Sequence, residues 1–272
     1  MTHIHEERRP VHRQEEKYTR KAILNSNKIG KGETRWNQCV EELDKINPHL
    51  LQGPVLDFGC GGGYFVFEGL RRGMNAWGVD QLFGKIKRYR KLIEYTSSPK
   101  DWGKRCLVGD GVTLPFPSDH FDLVSSWWVF EHILTPGEAI REMVRVTRPL
   151  GVIVIRAQDA RTSWEGHCNI PWIPYLSNRL ARVWIEEFGK SPSVYEGVFD
   201  VTQPQVISIL ESLGCRIVIK SESPPPLIDG HRQLCTEKNV RQMARLIKAK
   251  LDRGEVIARQ EGLYLYAQKM ES

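Results

Sequence analysis

Apolar residues along this chain follow two spacings. Between Glu33 and Ile46, Trp36, Val40, Leu43 and Ile46 recur at three and four, which lines one face of a helix. Asn47-Pro48 closes it, because proline drives the residue before it out of the helical region. Short apolar runs then alternate with helical spacing. The pattern predicts strands at Pro54–Phe58, Ala76–Val79, Cys106–Val108, Phe121–Trp127 and Val152–Ile155, with helices at Tyr64–Arg72, Lys85–Tyr95 and Pro136–Arg145. A helix over 203–213, a sixth strand at Arg216–Ile219 and a last strand at Leu263–Ala267 complete the series. Strands alternating with helices predict a doubly wound, mostly parallel α/β sheet. Two stretches break the rhythm. Residues 160–200 are rich in Trp, Pro and Tyr, and residues 221–260, opening on Ser223-Pro-Pro-Pro226, read as irregular and then helical.

Length adds that one such domain suffices: 272 residues fit an α/β domain at 34–272 with these two insertions, preceded by a polar arm at 1–33. The net charge of +6 permits an anionic partner. The basic residues are scattered, however, over Arg8-Arg9, 85–91, 141–148 and 241–250, the pattern of solvated helix faces and not of a nucleic-acid stripe. The six cysteines include no C-x-x-C pair, which argues against a zinc ribbon or a redox couple and for free thiols in a reducing compartment. The first 21 residues are charged and carry no apolar core of a signal peptide, and no apolar run is long enough to span a bilayer. A cytoplasmic location is expected.

The chemistry concentrates at Val55-Leu-Asp-Phe-Gly-Cys-Gly-Gly-Gly-Tyr-Phe65, a glycine-rich turn between the first strand and its helix. Such turns let the backbone approach a ligand at the carboxyl ends of the strands. The dinucleotide fingerprint is not met: counting from Gly59, its third glycine would fall at Tyr64. The absence of Gly-Lys-Ser/Thr after the glycines weakens the reading as a phosphate-binding P-loop too.

Asp57-x-Gly59-x-Gly61-x-Gly63 instead resembles the first motif of class I S-adenosylmethionine-dependent methyltransferases, of the type-11, small-molecule branch. Further matches follow in order: Asp80 after the second strand, Asp110-Gly111 after the third, Leu114-Pro-Phe-Pro-Ser-Asp-His-Phe-Asp-Leu-Val124 leading into the fourth, and Arg145-Val-Thr-Arg-Pro-Leu-Gly151 before the fifth, where Leu150 replaces a glycine. The resemblance covers residues 54–158 well and the remainder in outline. It implies a Rossmann-like, seven-stranded sheet with an antiparallel last strand and helices on both faces. It also implies S-adenosylmethionine as cofactor, with Gly59, Gly61 and Gly63 along its methionine part, Asp57 supporting its ammonium and Asp80 holding the ribose hydroxyls. Gln81 would lie beside the adenosine, Asp110 would take the adenine amino group, Gly111 or Val112 would offer a backbone N–H, and Trp127 would face the methionine end. Asp122 is expected only to start its strand.

The cofactor's sulfonium already activates its methyl group, so the protein must align a nucleophile and, for a hydroxyl, remove a proton. Glu131-His132 follows the fourth strand at the expected pocket rim. His132 is the leading base, with His167 and His231 behind it and Asp159 and Asp229 weaker; the alternative for His132 is a rim residue that only caps the next element. Trp128, Glu131, Trp164 and His167 are the expected acceptor contacts, with Trp172 and Tyr175 nearby, unless these aromatics simply pack over the sheet edge. A related family, the ubiquinone-pathway O-methyltransferases, carries E-x-x-E-H here and can bind a divalent metal. Trp128 stands in place of the first acid, so no metal site is carried over. The expected reaction is methylation, O- before N-, of a small acceptor such as a sugar, a glycan end or an aromatic metabolite. The alternatives are a nucleic-acid methyltransferase or a non-enzymatic protein that kept the fold. No nucleic-acid partner is expected: Ser126-Trp-Trp-Val129 is not the N/D-P-P-Y/F motif of amino-methylating DNA enzymes. Ile170–Phe188 mixes apolar residues with Arg179 and Arg182, and fits a pocket lid better than a membrane-surface helix.

Overall fold

A computed structural model describes residues 20–47, 50–222, 236–255 and 262–271. Its centre is one seven-stranded sheet. In chain order the strands are β1 (Val55–Phe58), β2 (Ala76–Asp80), β3 (Cys106–Val108), β4 (Phe121–Trp127), β5 (Thr147–Ala157), β8 (Cys215–Lys220) and β9 (Leu263–Lys269), with a small hairpin of β6 (Trp164–Glu165) and β7 (Ile170–Pro171) apart from them. The sheet order is β3-β2-β1-β4-β5-β9-β8. β1 to β5 are parallel, and β9 runs antiparallel between β5 and β8. This is the doubly wound arrangement that the alternation predicted, and β4 is buried along its whole length, as a central parallel strand must be.

Helices cover both faces. A short α1 (Arg20–Ile23), α2 (Ser26–Ile46), α3 (Tyr64–Arg71) and α4 (Phe83–Tyr95) pack Trp36, Phe65, Tyr89 and Leu92 onto one face. On the other, α5 (Pro136–Val146) and α7 (Gln203–Ser212) bury Ile140, Met143, Val206 and Leu210. The helix expected from Glu33 begins at Ser26, capped by the Asn25 side chain, so its first turns lie in the segment read as a polar arm. It ends at Ile46 with Asn47 extended, as the proline rule requires.

The two sequence insertions meet each other. α6 (Asn178–Glu187), from the first, packs on α8 (Glu237–Asp252), from the second, and with the hairpin they enclose a separate core of Ile170, Trp172, Ile173, Trp184, Val240 and Ala244. Trp172, a candidate acceptor residue, is therefore part of this core and packs against Tyr195 with ring centres 4.9 Å apart and planes tilted by 40°. Trp184 is fully buried and its indole N–H donates to the Pro171 carbonyl. The five cysteines among the described residues are free and buried. His231, Asp229, Cys235 and the Pro224–Pro226 run lie outside the described residues.

Candidate functional site

The strand order reverses between β1 and β4, and open α/β sheets bind their ligands beyond the carboxyl ends of the strands at this point. The glycine turn lies there. Gly59 and Gly61 both have positive φ, at 74° and 56°. A Cβ on Gly59 would strike the Val129 side chain, which follows β4, whereas a Cβ on Gly61 would meet only open space. Gly61 thus turns bare backbone toward open space, which lets a ligand approach closely. The turn is tied to the second strand by Asp80: one carboxylate oxygen accepts the Gly61 N–H and the other the Leu82 N–H, each at 2.9 Å. A carboxylate oxygen has two lone pairs, so each can take one more donor, such as a ribose hydroxyl.

Polar atoms without partners gather below this turn. Asp57 is buried at the end of β1, and its Oδ2 has no hydrogen bond, while Oδ1 has only a long one, 3.4 Å, from Ser125. Burial pushes the Asp57 carboxyl up to about 7, opposed by the Arg35 guanidinium and the Ser125 hydroxyl, with Asp80 adding to the rise. On β4, the Trp127 indole N–H, on the same face of the sheet as Asp57, is likewise buried without a partner, whereas the unsatisfied Ser126 hydroxyl points to the opposite face. Arg35, on α2, reaches in over the Trp127 ring at 5.6 Å, and burial lowers its pKa against the pull of Asp57. Native structures seldom leave buried polar atoms unsatisfied. Here an anionic acceptor faces donors and a cation, a set complementary to the ammonium and carboxylate of an amino-acid tail. The methionine part of S-adenosylmethionine fits this donor set.

At the other end, Asp110 is exposed after β3. Its Oδ1 accepts the N–H groups of Val112 and Thr113 at 2.9 Å, so of the two expected backbone donors Val112 is already engaged and Gly111 is left. Gln81 is exposed beside Asp80. The exposed apolar side chains of Leu82, Phe83, Val108 and Val112 flank these acids, a border suited to a flat ring.

The mouth is formed by the exit of β4. Trp128 is exposed with φ at 61°, a left-handed conformation that costs on the order of 1 kcal/mol outside glycine. Its ring lies under the Arg156 guanidinium, which also covers Tyr264, each at 5.5 Å. Arg156 is held by Gln38 of α2. A 3₁₀ turn at Phe130–His132 follows. Glu131 is wholly buried with neither carboxylate oxygen hydrogen-bonded, and burial pushes its carboxyl up to about 7 against nearby N–H groups and His167. His132 has its Nδ1 on the Gly197 carbonyl at 3.0 Å and its Nε2 3.3 Å from Nε2 of His167. His167 in turn has its Nδ1 2.6 Å from Glu165 of the hairpin, and burial is outweighed there by these hydrogen bonds, so Glu165 is held below the usual carboxylate range. His132 therefore faces a second imidazole, an arrangement that a lone rim base did not anticipate. Trp164 is half-buried in the hairpin, paired with Pro171. Asp159, a weaker base candidate, is instead bound by Arg161 and by the Gln203 N–H and serves the fold. Asp122 begins β4 as expected, and is held by the Gly53 N–H and Arg148.

Arg35, Arg156, Tyr264 and Glu165 were not found by the sequence reading. Arg35 adjoins the buried stripe at Trp36, but periodicity says nothing of what an off-stripe residue faces. Glu165 carried no sequence signal, because its pairing with His167 depends on the tight turn at 166–169 that follows β6.

Residues 56–155 match the family described as "Methyltransferase domain". The chain is 30% identical over 131 residues to a malonyl-[acyl-carrier protein] O-methyltransferase of Halorhodospira halophila, covering 47% of this chain and 42% of that protein. It is 26% identical over 169 residues to a tRNA U34 carboxymethyltransferase of Idiomarina loihiensis, covering 57% and 49%. The chain thus spans less than half the length of each of these relatives. In fold it is similar to an S-adenosylmethionine-dependent methyltransferase of Mesorhizobium loti, with a TM-score of 0.52 at 19% identity over 85% of this chain and 97% of the other. The matched segment holds the glycine turn, Asp80, Asp110 and the run from β1 into β5, so residues 56–155 of this chain match a methyltransferase domain.

Proposed function

We propose that this protein transfers the methyl group of S-adenosylmethionine to a small-molecule acceptor, with an oxygen as the favoured nucleophile. The observation that carries the reading is the pair of unsatisfied buried polar groups on Asp57 and Trp127, on one face of the sheet below the glycine turn. The cofactor, when bound, supplies an activated methyl group. The chain's own residues do the rest. Asp57 accepts the ammonium, and Arg35 with the Trp127 N–H faces the carboxylate. Asp80 takes the ribose hydroxyls and Asp110 the adenine amino group. Trp128, Trp164 and Arg156 border the acceptor, and the corner of Glu131, His132 and His167 is where its proton is handled.

The corner favours a hydroxyl acceptor, since a neutral amine needs no base. Arg156 between two aromatic rings suits a ring that carries an anionic or oxygen-rich group, and a sugar, a glycan end and an aromatic metabolite all meet this. The insertions at 160–200 and 221–260 act as the wall of the acceptor pocket.

Nucleic-acid methylation is the second reading, raised by the tRNA relative. The surface gives it less support. Arg145 pairs with Glu142 and Arg148 with Asp122, and Arg241 and Arg245 share Glu187, so the basic runs at 141–148 and 241–250 are partly paired. Among the described residues no helix is long and apolar enough to cross a membrane.

Methyl-labelled cofactor offered with panels of hydroxylated sugars, phenols, carboxylic acids, amines and tRNA tests the reading. Label is expected in a hydroxylated small molecule. Label entering tRNA alone would refute the small-molecule assignment, and calorimetry showing no cofactor binding would refute the activity.

A further inference from the structure

Glu131, His132 and His167 bring one carboxylate oxygen and two imidazole nitrogens within 4.8 Å of one another. Hydrogen bonding fixes the state of both rings. A backbone carbonyl only accepts, so His132 must donate from Nδ1 to Gly197. The Glu165 carboxylate likewise draws the Nδ1–H of His167. In the neutral rings each Nε2 then presents a lone pair, and these two atoms face each other at 3.3 Å. Two lone pairs repel at that distance unless a positive charge lies between them. Two nitrogens bound at about 2.0–2.1 Å to one tetrahedral ion would stand about 3.3–3.4 Å apart. The third group is the Glu131 carboxyl, fully buried and with both oxygens unsatisfied. A buried carboxylate without a partner is costly, and a cation is the partner its surroundings lack.

We propose that Glu131, His132 and His167 form a binding site for one four-coordinate divalent cation of the zinc type, with its fourth position open to water or to an oxygen of the acceptor.

The donor set of two imidazoles and one carboxylate is that of open, catalytic zinc centres, as distinct from closed structural ones. The surroundings are also those of a ligand sphere. Glu165, itself buried, orients His167 through Nδ1, the carboxylate–histidine–metal arrangement that fixes a ligand's tautomer. Gly197 does the same for His132, and the Phe199 N–H fixes the Glu131 backbone carbonyl at 2.7 Å, so a single loop braces both neighbouring ligands. With two neutral rings, the charges of Glu131 and Glu165 balance a divalent ion. His132 is exposed, which gives the ion and a fourth ligand access. Trp128, whose replacement of an acid argued against a metal, is not needed, because the third ligand comes from the hairpin at His167. The site stands independently of the methyl-transfer reading, since a cation would bind whether or not a methyl group is moved. Zinc added to the full chain after chelator treatment and dialysis tests it directly. Calorimetry against a competing chelator at pH 7.5 is expected to show one equivalent that His132→Ala, His167→Ala and Glu131→Gln each lose or weaken at least 100-fold. Glu165→Gln is expected to weaken it 10–100-fold. Cobalt(II) in the same site should give the intense visible bands of a four-coordinate centre. Thermal unfolding of the metal-free variants reports whether they fold, and zinc should raise the melting temperature of the wild type but not of His167→Ala. Zinc stoichiometry and affinity unchanged in His132→Ala and His167→Ala, or no zinc bound by the wild type, would overturn the proposal and leave a shared proton between the rings.

Discussion

Asp57 offers the sharpest test of the cofactor reading, because its environment makes cofactor affinity depend on pH. Burial pushes the carboxyl to about 7 in the ligand-free protein, with Arg35 and Asp80 as the charged groups acting on it. A cofactor ammonium beside it requires the ionised form, so binding below that value must first remove a proton. With the carboxyl fully ionised in the complex, affinity should scale with the ionised fraction of the free protein. Between pH 5.5 and 7.5 that fraction rises about 25-fold, a difference of roughly 2 kcal/mol. Below pH 7.5 the ammonium of the cofactor is mostly retained, since α-amino groups titrate at about 7.7–8.0. The same shift has a consequence for stability. The native state holds a proton at Asp57 between the ordinary carboxylate range and about 7 that the unfolded chain has released, so its contribution is present at low pH and is lost as pH rises through 7. Asp57→Asn should therefore stabilise the ligand-free protein at pH 8, with the gain shrinking toward pH 5, while its cofactor affinity becomes flat with pH and stays near the acid limb of the wild type. Calorimetry of cofactor binding in buffers of differing ionisation enthalpy would read both the slope and the proton released. A wild-type affinity that is level between pH 5.5 and 7.5, or a slope that survives in Asp57→Asn, would refute the reasoning.

Two further outcomes follow from the geometry. Asp80→Ala removes the ribose acceptor and also frees the Gly61 and Leu82 N–H groups it now holds; cofactor binding by calorimetry should weaken by about 1.5–3 kcal/mol, and an unchanged affinity would show that the ribose lies elsewhere. Trp184→Ala empties the centre of the core shared by α6 and α8 and should cost about 3–5 kcal/mol in denaturant unfolding, with amide exchange rising at 164–188 and 237–252 before the sheet.

The parallel sheet was legible because its causes are local. Buried strands such as Val152–Ile155 must be apolar on both faces, and glycine is needed where the turn at 59–61 adopts positive φ. The acids at Asp57, Asp80 and Asp110 lie at strand ends, and strand ends can be read. Leu150 shows where this stops: it takes φ of 62° at a position where a glycine was the expectation, so the backbone demand persisted while its usual residue did not. The 3₁₀ turn at 130–132, the partnership of α6 with α8 and the approach of His167 to His132 depend on contacts between segments far apart in the chain. Periodicity reports only which face of an element is buried, and not against what. The same limit hid Arg35, whose function comes from α2 crossing the end of the sheet.

The two ends of the site rest on different parts of the molecule. Asp57, Asp80 and the glycine turn are fixed by β1 and β2, inside the main sheet, where each strand is held by neighbours on both sides. His167 and Glu165 belong to a two-stranded hairpin, and so small a sheet is marginal by itself. What holds it is the satellite core behind, where Ile170 and Trp172 pack with Trp184 and the Trp184 N–H grips the carbonyl of Pro171. The position of His167 against His132 is thus set by a core that includes α8, contributed from the far end of the chain, and by the Gly197 loop on the other side. Cofactor binding can stay constant while this second core is rebuilt, because no residue of that core lies at the carboxyl ends of β1, β2 or β3. On the proposed function, the matching segment carries Asp57, Asp80 and Asp110 together with Trp128, Glu131 and His132, and the hairpin outside it completes the acceptor side with Trp164 and His167, which is where relatives that share the segment have room to differ.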